Sequence, residues 1–209
     1  MKKITSLICA SCFVASSALA GGMIGVKYGV GEIEGTQNAY TSGSTTYAAQ
    51  TKTEDSDYGA IFAEVEVPQV DGLSLGVEYV PYTATLSVDG NSSDSHLELS
   101  EFTTIYGLYM QDLGGVNAFV KGGYAMVNIG NVKANYVGTT INSHDDSLEG
   151  FVMGVGIQSD LASLIGRAEV TYTDFDSVNV NTTSNGSAAV NKTGDAELLT
   201  FTVSLAKSF

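Results

Sequence analysis

The sequence predicts an all-β fold: an eight-stranded antiparallel up-and-down transmembrane β-barrel, preceded by a cleaved signal peptide. Three observations predict it. Apolar and polar residues alternate with period two in eight segments, which marks strands with two unlike faces. The connections between those segments alternate between long and short. No stretch beyond residue 20 approaches the ~18 consecutive apolar residues that a spanning helix needs.

Residues 1–20 read as the signal peptide and residues 21–209 as one barrel domain. Lys2 and Lys3 form a positive start, and Ile4 to Ala15 is a short, mostly apolar run. Ala18 and Ala20 supply the small residues a signal peptidase reads, with cleavage expected before Gly21. Both cysteines, Cys9 and Cys12, lie in this segment, so the mature chain is expected to hold no disulfide and no thiolate metal site. It then keeps seven cations against 23 acids, a net charge of −16. Such a chain has no basic stripe to displace counterions from phosphates, which excludes nucleic acid as a partner. Yet its mean hydropathy is slightly positive, +0.11, as expected when the acids sit in loops and lumen while apolar faces meet lipid.

The segments follow in order. Gly22 to Ile33 sets Ile24, Val26, Tyr28 and Val30 against Gly25, Lys27 and Gly29. Tyr58 to Val67 sets Ile61, Ala63, Val65 and Val67 against Glu64 and Glu66. Leu73 to about Ser87, interrupted by Pro81, sets Leu73, Leu75, Val77 and Tyr79 against Ser74, Gly76 and Glu78. Glu101 to Met110 places Phe102, Thr104, Tyr106, Leu108 and Met110 on one side. Val116 to Ile129 sets Val116, Ala118, Val120 and Tyr124 against Asn117 and Lys121. Leu148 to Gln158 sets Phe151, Met153, Val155 and Ile157 against Gly150, Gly154 and Gly156. Leu164 to Asp174 sets Leu164, Ala168, Val170 and Tyr172 against Arg167, Glu169, Thr171 and Thr173. Ala196 to Phe209 sets Leu199, Phe201, Val203, Leu205 and Phe209 against Thr200, Thr202, Ser204 and Ser208.

Residues 34–57, 88–100, 130–147 and 175–195 are long polar connections, whereas 68–72, 111–115 and 159–163 are short turns. Sorting long loops to one end and short turns to the other is the layout of a transmembrane barrel. Charge assigns the faces, because a charge facing lipid at mid-membrane costs about 2–4 kcal/mol. Lys27, Glu64, Glu66, Glu78, Lys121, Arg167 and Glu169 all share the polar parity, so they are expected to form a lumen charge network. The aromatics Tyr28, Tyr79, Phe102, Tyr106, Tyr124, Phe151, Tyr172, Phe201 and Phe209 are expected to face outward as interfacial girdles. Eight strands enclose an interior that side chains fill, so the lumen is expected to be plugged or very narrow.

Ala118-Phe119-Val120-Lys121-Gly122-Gly123-Tyr124 resembles the fifth strand of the small OmpA-like or opacity-type barrels of the Gram-negative outer membrane. The run from Gly154 to Gln158, followed by Gly166-Arg167-Ala168-Glu169-Val170-Thr171-Tyr172-Thr173-Asp174-Phe175, is similar to the strands that follow. Phe209, with Leu205 and Val203, resembles the C-terminal signal read by the barrel-assembly machinery, while Lys207 departs from it. The resemblance implies an outer-membrane location, lumen pairing among Lys121, Arg167 and Glu169, and lipid and lipopolysaccharide as surroundings.

Other motifs carry less. His96 and His144, the two histidines, stand beside acids in polar connections. A lipid A-modifying enzyme of this size would need a histidine fixed beside a nucleophile and an orienting acid, and neither context supplies one. The acids at 54–57 and 145–146 lack EF-hand spacing. No catalytic residue, cofactor or metal is therefore expected. The sequence leads to a structural or porin-like envelope barrel. The alternative is a surface adhesion or binding protein using loops 34–57, 88–100, 130–147 and 175–195 on an extracellular ligand. A lipid A-modifying enzyme comes last.

Overall fold

The period-two segments become strands that run well past the apolar stretches announcing them. The computed structural model describes residues 21–90, 93–133, 139–184 and 188–209; the signal-peptide residues Ala18 and Ala20 lie outside them. The strands are β1 (Gly22–Gln37), β2 (Tyr40–Ser42), β3 (Thr45–Tyr47), β4 (Gln50–Glu66), β5 (Leu73–Tyr79), β6 (Ala84–Gly90), β7 (Ser93–Asp112), β8 (Asn117–Lys133), β9 (Thr139–His144), β10 (Ser147–Leu161), β11 (Leu164–Ser184) and β12 (Val190–Ser208).

Eight of these form the wall, in the hydrogen-bonded order β1-β4-β5-β7-β8-β10-β11-β12. β12 pairs back onto β1, with Val26 opposite Leu205, and the ring closes. All pairings are antiparallel between neighbours. Closure matters because every backbone N–H and C=O in hydrocarbon must find a partner within the protein. The remaining strands belong to the long-connection end: β2 and β3 form a hairpin, β6 extends the wall against β7, and β9 lies on β11. The β5–β6 break falls around Pro81, which has no N–H to give a ladder; Val80 bridges it by donating to the Phe102 carbonyl at 2.9 Å.

Outside, the wall carries a belt of exposed apolar side chains. Val26 (59% exposed), Phe151 (67%) and Val203 (53%) are typical. Water would not solvate such a continuous surface, but hydrocarbon does. Tyr124 and Phe151 meet edge-on at 5.5 Å toward the long-connection end, where the Tyr124 hydroxyl donates to Glu149.

The wall departs from the sequence expectation in two ways. First, much of the long polar connections is strand. β11 has 21 residues and β7 has 20, whereas a tilted strand crosses the bilayer in about 9–11. Beyond the belt both faces meet water, so the ladder continues while the apolar alternation that reveals it disappears. His96 accordingly lies within β7, opposite Ser87, and His144 ends β9.

Second, the face of β7 is inverted. Thr104, Tyr106 and Leu108 are buried in the lumen, and Ile105 and Tyr109 face outward. Phe102 likewise packs inside. Between Phe102 and Met110 this strand has no charge to mark its polar side, and either face is apolar enough for lipid. Volume decides instead. A Cβ on Gly76 would lie 2.4 Å from the Tyr106 ring, so Gly76 leaves the space that Tyr106 fills. Gly156 makes the same accommodation for Phe119.

Two of the register shifts in the outer wall adjust the lumen. β7 takes one extra residue between Ser100 and Thr103, and β11 takes one between Phe175 and Val178. An extra residue shifts side-chain parity by one. Leu99 and Phe102 therefore both point inward, as do Phe175 and Val178, against Ala125, Val127, Ile129, Leu148 and Val152.

Candidate functional site

Among the described residues, the charged side chains that are buried lie in the lumen. Six charged side chains are buried among the described residues: Lys27, Lys121 and Arg167 against Glu64, Glu78 and Glu169. They sum to zero inside a strongly negative chain. Each arrives from a wall strand on the parity facing away from lipid.

At mid-height, two cations alternate with two carboxylates. Lys27 Nζ lies 2.7 Å from Glu78 Oε2 and 3.1 Å from Glu169 Oε2. Lys121 Nζ lies 3.0 Å from Glu78 Oε2 and 3.0 Å from Glu169 Oε1. These four side chains come from β1, β5, β8 and β11, so the square ties together distant parts of the ring. The remaining lone pairs are also used. The Tyr58 hydroxyl donates to Glu78 Oε1 at 2.5 Å, and Thr171 Oγ1 donates to Glu169 Oε1 at 2.7 Å. The Lys121 ammonium sits 4.1 Å from the Tyr106 ring centroid, within range of a cation–π attraction.

Nearer the short turns, Arg167 grips Glu64 with both arms. Nη1 donates to Oε1 at 2.6 Å and Nη2 to Oε2 at 2.9 Å. Gln158 Oε1 accepts from Arg167 Nε and Nη2, and Tyr106 donates to Glu64 Oε1 at 2.7 Å. The guanidinium lies 4.8 Å from the Phe119 ring and 5.3 Å from the Phe62 ring. Such pairing meets the condition for burying charge at all, which is a partner and full hydrogen bonding for each ion.

Glu66 does not join them. It shares the lumen parity of Glu64, but it is exposed at the last residue of β4, at the short-turn rim beside Gly21. Parity specifies a face and not a height. Tyr58, Tyr106, Gln158 and the two flanking Phe rings are the participants that charge counting missed. Phe62 has the parity of Glu64, and Phe119 that of Lys121, so the same period-two rule reaches both. Tyr106 was hidden by the inverted face of β7.

Above the square, on the long-connection side, the lumen becomes apolar. A chamber of about 120 Å³ lies there, with Tyr58 and Phe102 at its lower end. Between chamber and square is a niche of about 10 Å³ edged by Glu78, Lys121 and Thr171, room for about one water. Of the histidines, His144 donates through Nδ1 to the Asp145 carbonyl at 2.8 Å. Among the described residues no three His, Cys, Asp or Glu side chains converge to hold a metal ion.

A closed eight-stranded ring, an apolar belt and a lumen crossed by charge-neutral pairing define the small outer-membrane β-barrel fold. No protein-family model and no curated protein sequence matches the chain. Solved structures do. The outer membrane protein AlkL, determined by solid-state NMR in DMPC bilayers, aligns over 91% of this chain and 91% of its own, with a TM-score of 0.57 and 12% identity. Neisserial surface protein A aligns over 87% and 95%, with a TM-score of 0.46 and 14% identity. Ail, the attachment invasion locus protein of Yersinia pestis, solved with the heparin analogue sucrose octasulfate, aligns over 90% and 99%, at 0.43 and 8%. At these identities the likeness is one of fold.

Proposed function

We propose that this chain is an outer-membrane barrel whose lumen is sealed to ions and polar solutes, and that it serves the envelope structurally rather than by catalysis. The observation that carries this reading is the square of Lys27, Glu78, Lys121 and Glu169. It crosses the lumen with every ion paired at 2.7–3.1 Å. An ion passing through would have to break contacts between charges already stripped of water, whose loss costs ~3–5 kcal/mol per broken pair. The bulky rings of Tyr106, Phe62 and Phe119 occupy the space below. The test is conductance in planar bilayers with the purified, folded chain. The expected record is a quiet baseline; long-lived openings of nanosiemens size would overturn the proposal.

A second reading rests on a separate observation. The wall continues beyond the apolar belt as polar strand, and its outer surface carries a ladder of Asn side chains. Asn142 Nδ2 donates to Asn181 Oδ1 at 2.6 Å and to Thr183 Oγ1 at 2.9 Å. Asn181 in turn donates to Asn191. A rigid polar platform of this kind suits binding of an extracellular ligand better than mobile loops do. Shortening the β9 and β11–β12 extensions, with folding checked by gel mobility, should then abolish adhesion to cells or surfaces without changing permeability. Adhesion that survives the truncation would remove this reading.

A further inference from the structure

The apolar chamber above the charged square has a lining the sealing role does not require. A plug needs filled space, and here about 120 Å³ is left open. Its walls are inward side chains of several strands, among them Ile33, Phe102, Val127, Leu148, Phe175 and Leu198. The two bulges contribute directly, because each turns an additional apolar residue inward beside Phe102 and Phe175.

Three hydroxyls at its edge are already engaged, and the exposed Asp57 carboxylate accepts from the outward Tyr28 hydroxyl at 3.4 Å. The Tyr58 hydroxyl donates to Glu78. The Tyr82 hydroxyl accepts from the Gly59 N–H at 2.7 Å and donates to the Asp57 carbonyl at 3.1 Å. Ser56 Oγ donates to the Asp57 carbonyl at 3.2 Å. A water needs two to four polar partners to stay in a cavity, and an apolar cavity of ~150 Å³ takes benzene or xenon instead. The rings at the lower end are set at angles rather than stacked. Tyr58 and Phe102 meet at 82°, and Phe102 and Phe175 at 53°. Tilted rings present both edges and faces, the arrangement in which a further aromatic ring packs favourably.

From volume, lining and ring geometry together we infer that the chamber is a binding site for a small neutral aromatic hydrocarbon, entering from the outer end of the barrel. The size favours a single ring over an extended acyl chain. The inference goes beyond the sealing role and is independent of it, since the square below can seal or leak without changing the chamber.

The test uses the full mature chain in phosphatidylcholine nanodiscs, with Ile, Leu and Val methyls labelled with carbon-13. Benzene is added while methyl shifts are followed. Saturable shifts are expected at Ile33, Val127, Leu148 and Leu198. The outward methyls of Val26, Val155 and Ile157 should show only the slow linear drift of partitioning into lipid. Benzoate, whose carboxylate would meet no free donor, should leave the inward methyls unmoved. Ala196→Leu narrows the chamber and should weaken the benzene response at least tenfold, and Leu198→Phe serves the same end should the first variant fail to fold. Linear drift shared by both sets of methyls would overturn the inference, as would a benzoate response equal to that of benzene. Contacts between lipid acyl protons and the inward methyls before benzene is added would assign the chamber to lipid chains and overturn it as well.

Discussion

Replacing Lys121 with methionine isolates what the charged square contributes. The side chain keeps most of its length and loses its charge. Glu78 and Glu169, each 3.0 Å from Lys121 Nζ, are left with Lys27 as their shared cation, and the square passes from neutral to one net negative charge. All four side chains are at most 4% exposed, so water cannot take over the lost contacts without entering the lumen. Leaving a buried charge uncompensated costs ~3–5 kcal/mol, and the lost approach to Tyr106 belongs to the same loss. Adding Glu169→Gln restores neutrality, leaving Lys27 with Glu78, and should recover most of the stability. The chain has no tryptophan, so folded fraction is best read from the gel-mobility shift across a urea series in lipid vesicles. A Lys121→Met variant that stays within about 1 kcal/mol of the parent, or a double variant that loses the sum of the two single losses instead of less, would contradict this role of the square.

Three further predictions follow from other parts of the molecule. Val155→Arg, in the middle of the apolar belt, should cost ~2–4 kcal/mol in bilayers, while Thr53→Arg on the polar extension of β4 should cost almost nothing; equal effects in the same urea assay would contradict the placement of the belt. Gly76→Ala would set a Cβ 2.4 Å from the Tyr106 ring and should cost ~1–3 kcal/mol, a cost that shrinks in a Tyr106→Leu background; an unchanged cost there would show that the two do not compete for space. Donation from Ser177 Oγ, then from Asn38 Nδ2, holds the Asp195 carboxyl below the usual carboxylate range. A lowered folded pKa stabilises above the unfolded value and is lost as pH falls through the folded one. Hydrogen-exchange protection in the outer β11–β12 hairpin, taken relative to the intrinsic rate at each pH, should therefore fall in acid, and less so in Asp195→Asn; identical acid responses would contradict it.

The sequence made the ring legible wherever lipid and lumen impose opposite chemistry. Val155 against Gly154 and Gly156, or Val203 against Thr202 and Ser204, leave no doubt about which side is which. Legibility fails where that contrast weakens. Between Phe102 and Met110 of β7 neither face carries a charge, so Tyr106 gave no sign that its hydroxyl is needed by Glu64. In the outer wall both faces are polar, so strands such as Gln50–Glu66 looked half loop. The bulges at Ser100/Thr103 and Phe175/Val178 left no trace either, because a single inserted residue shows only once its partner strand is known. Among the described residues, the six charges buried in the lumen share one parity, and Glu66 shares it too because a face carries no information about depth.

The charged square also bears on how the chain enters the membrane. Lys27 and Glu169 are 142 positions apart in sequence, so the two meet only when the first and seventh wall strands stand in one ring. Until then, a lumen-facing charge on an open sheet would look into hydrocarbon. The three cations, at about 2–4 kcal/mol each at mid-membrane, amount to roughly 6–12 kcal/mol against any half-built wall lying in the bilayer, and the three carboxylates add a smaller cost. Partial insertion is thereby disfavoured: the strands must come together at the membrane surface or under protection, and cross as a closed or nearly closed cylinder. The contacts that tie the finished ring together thus also weigh against half-built forms of it.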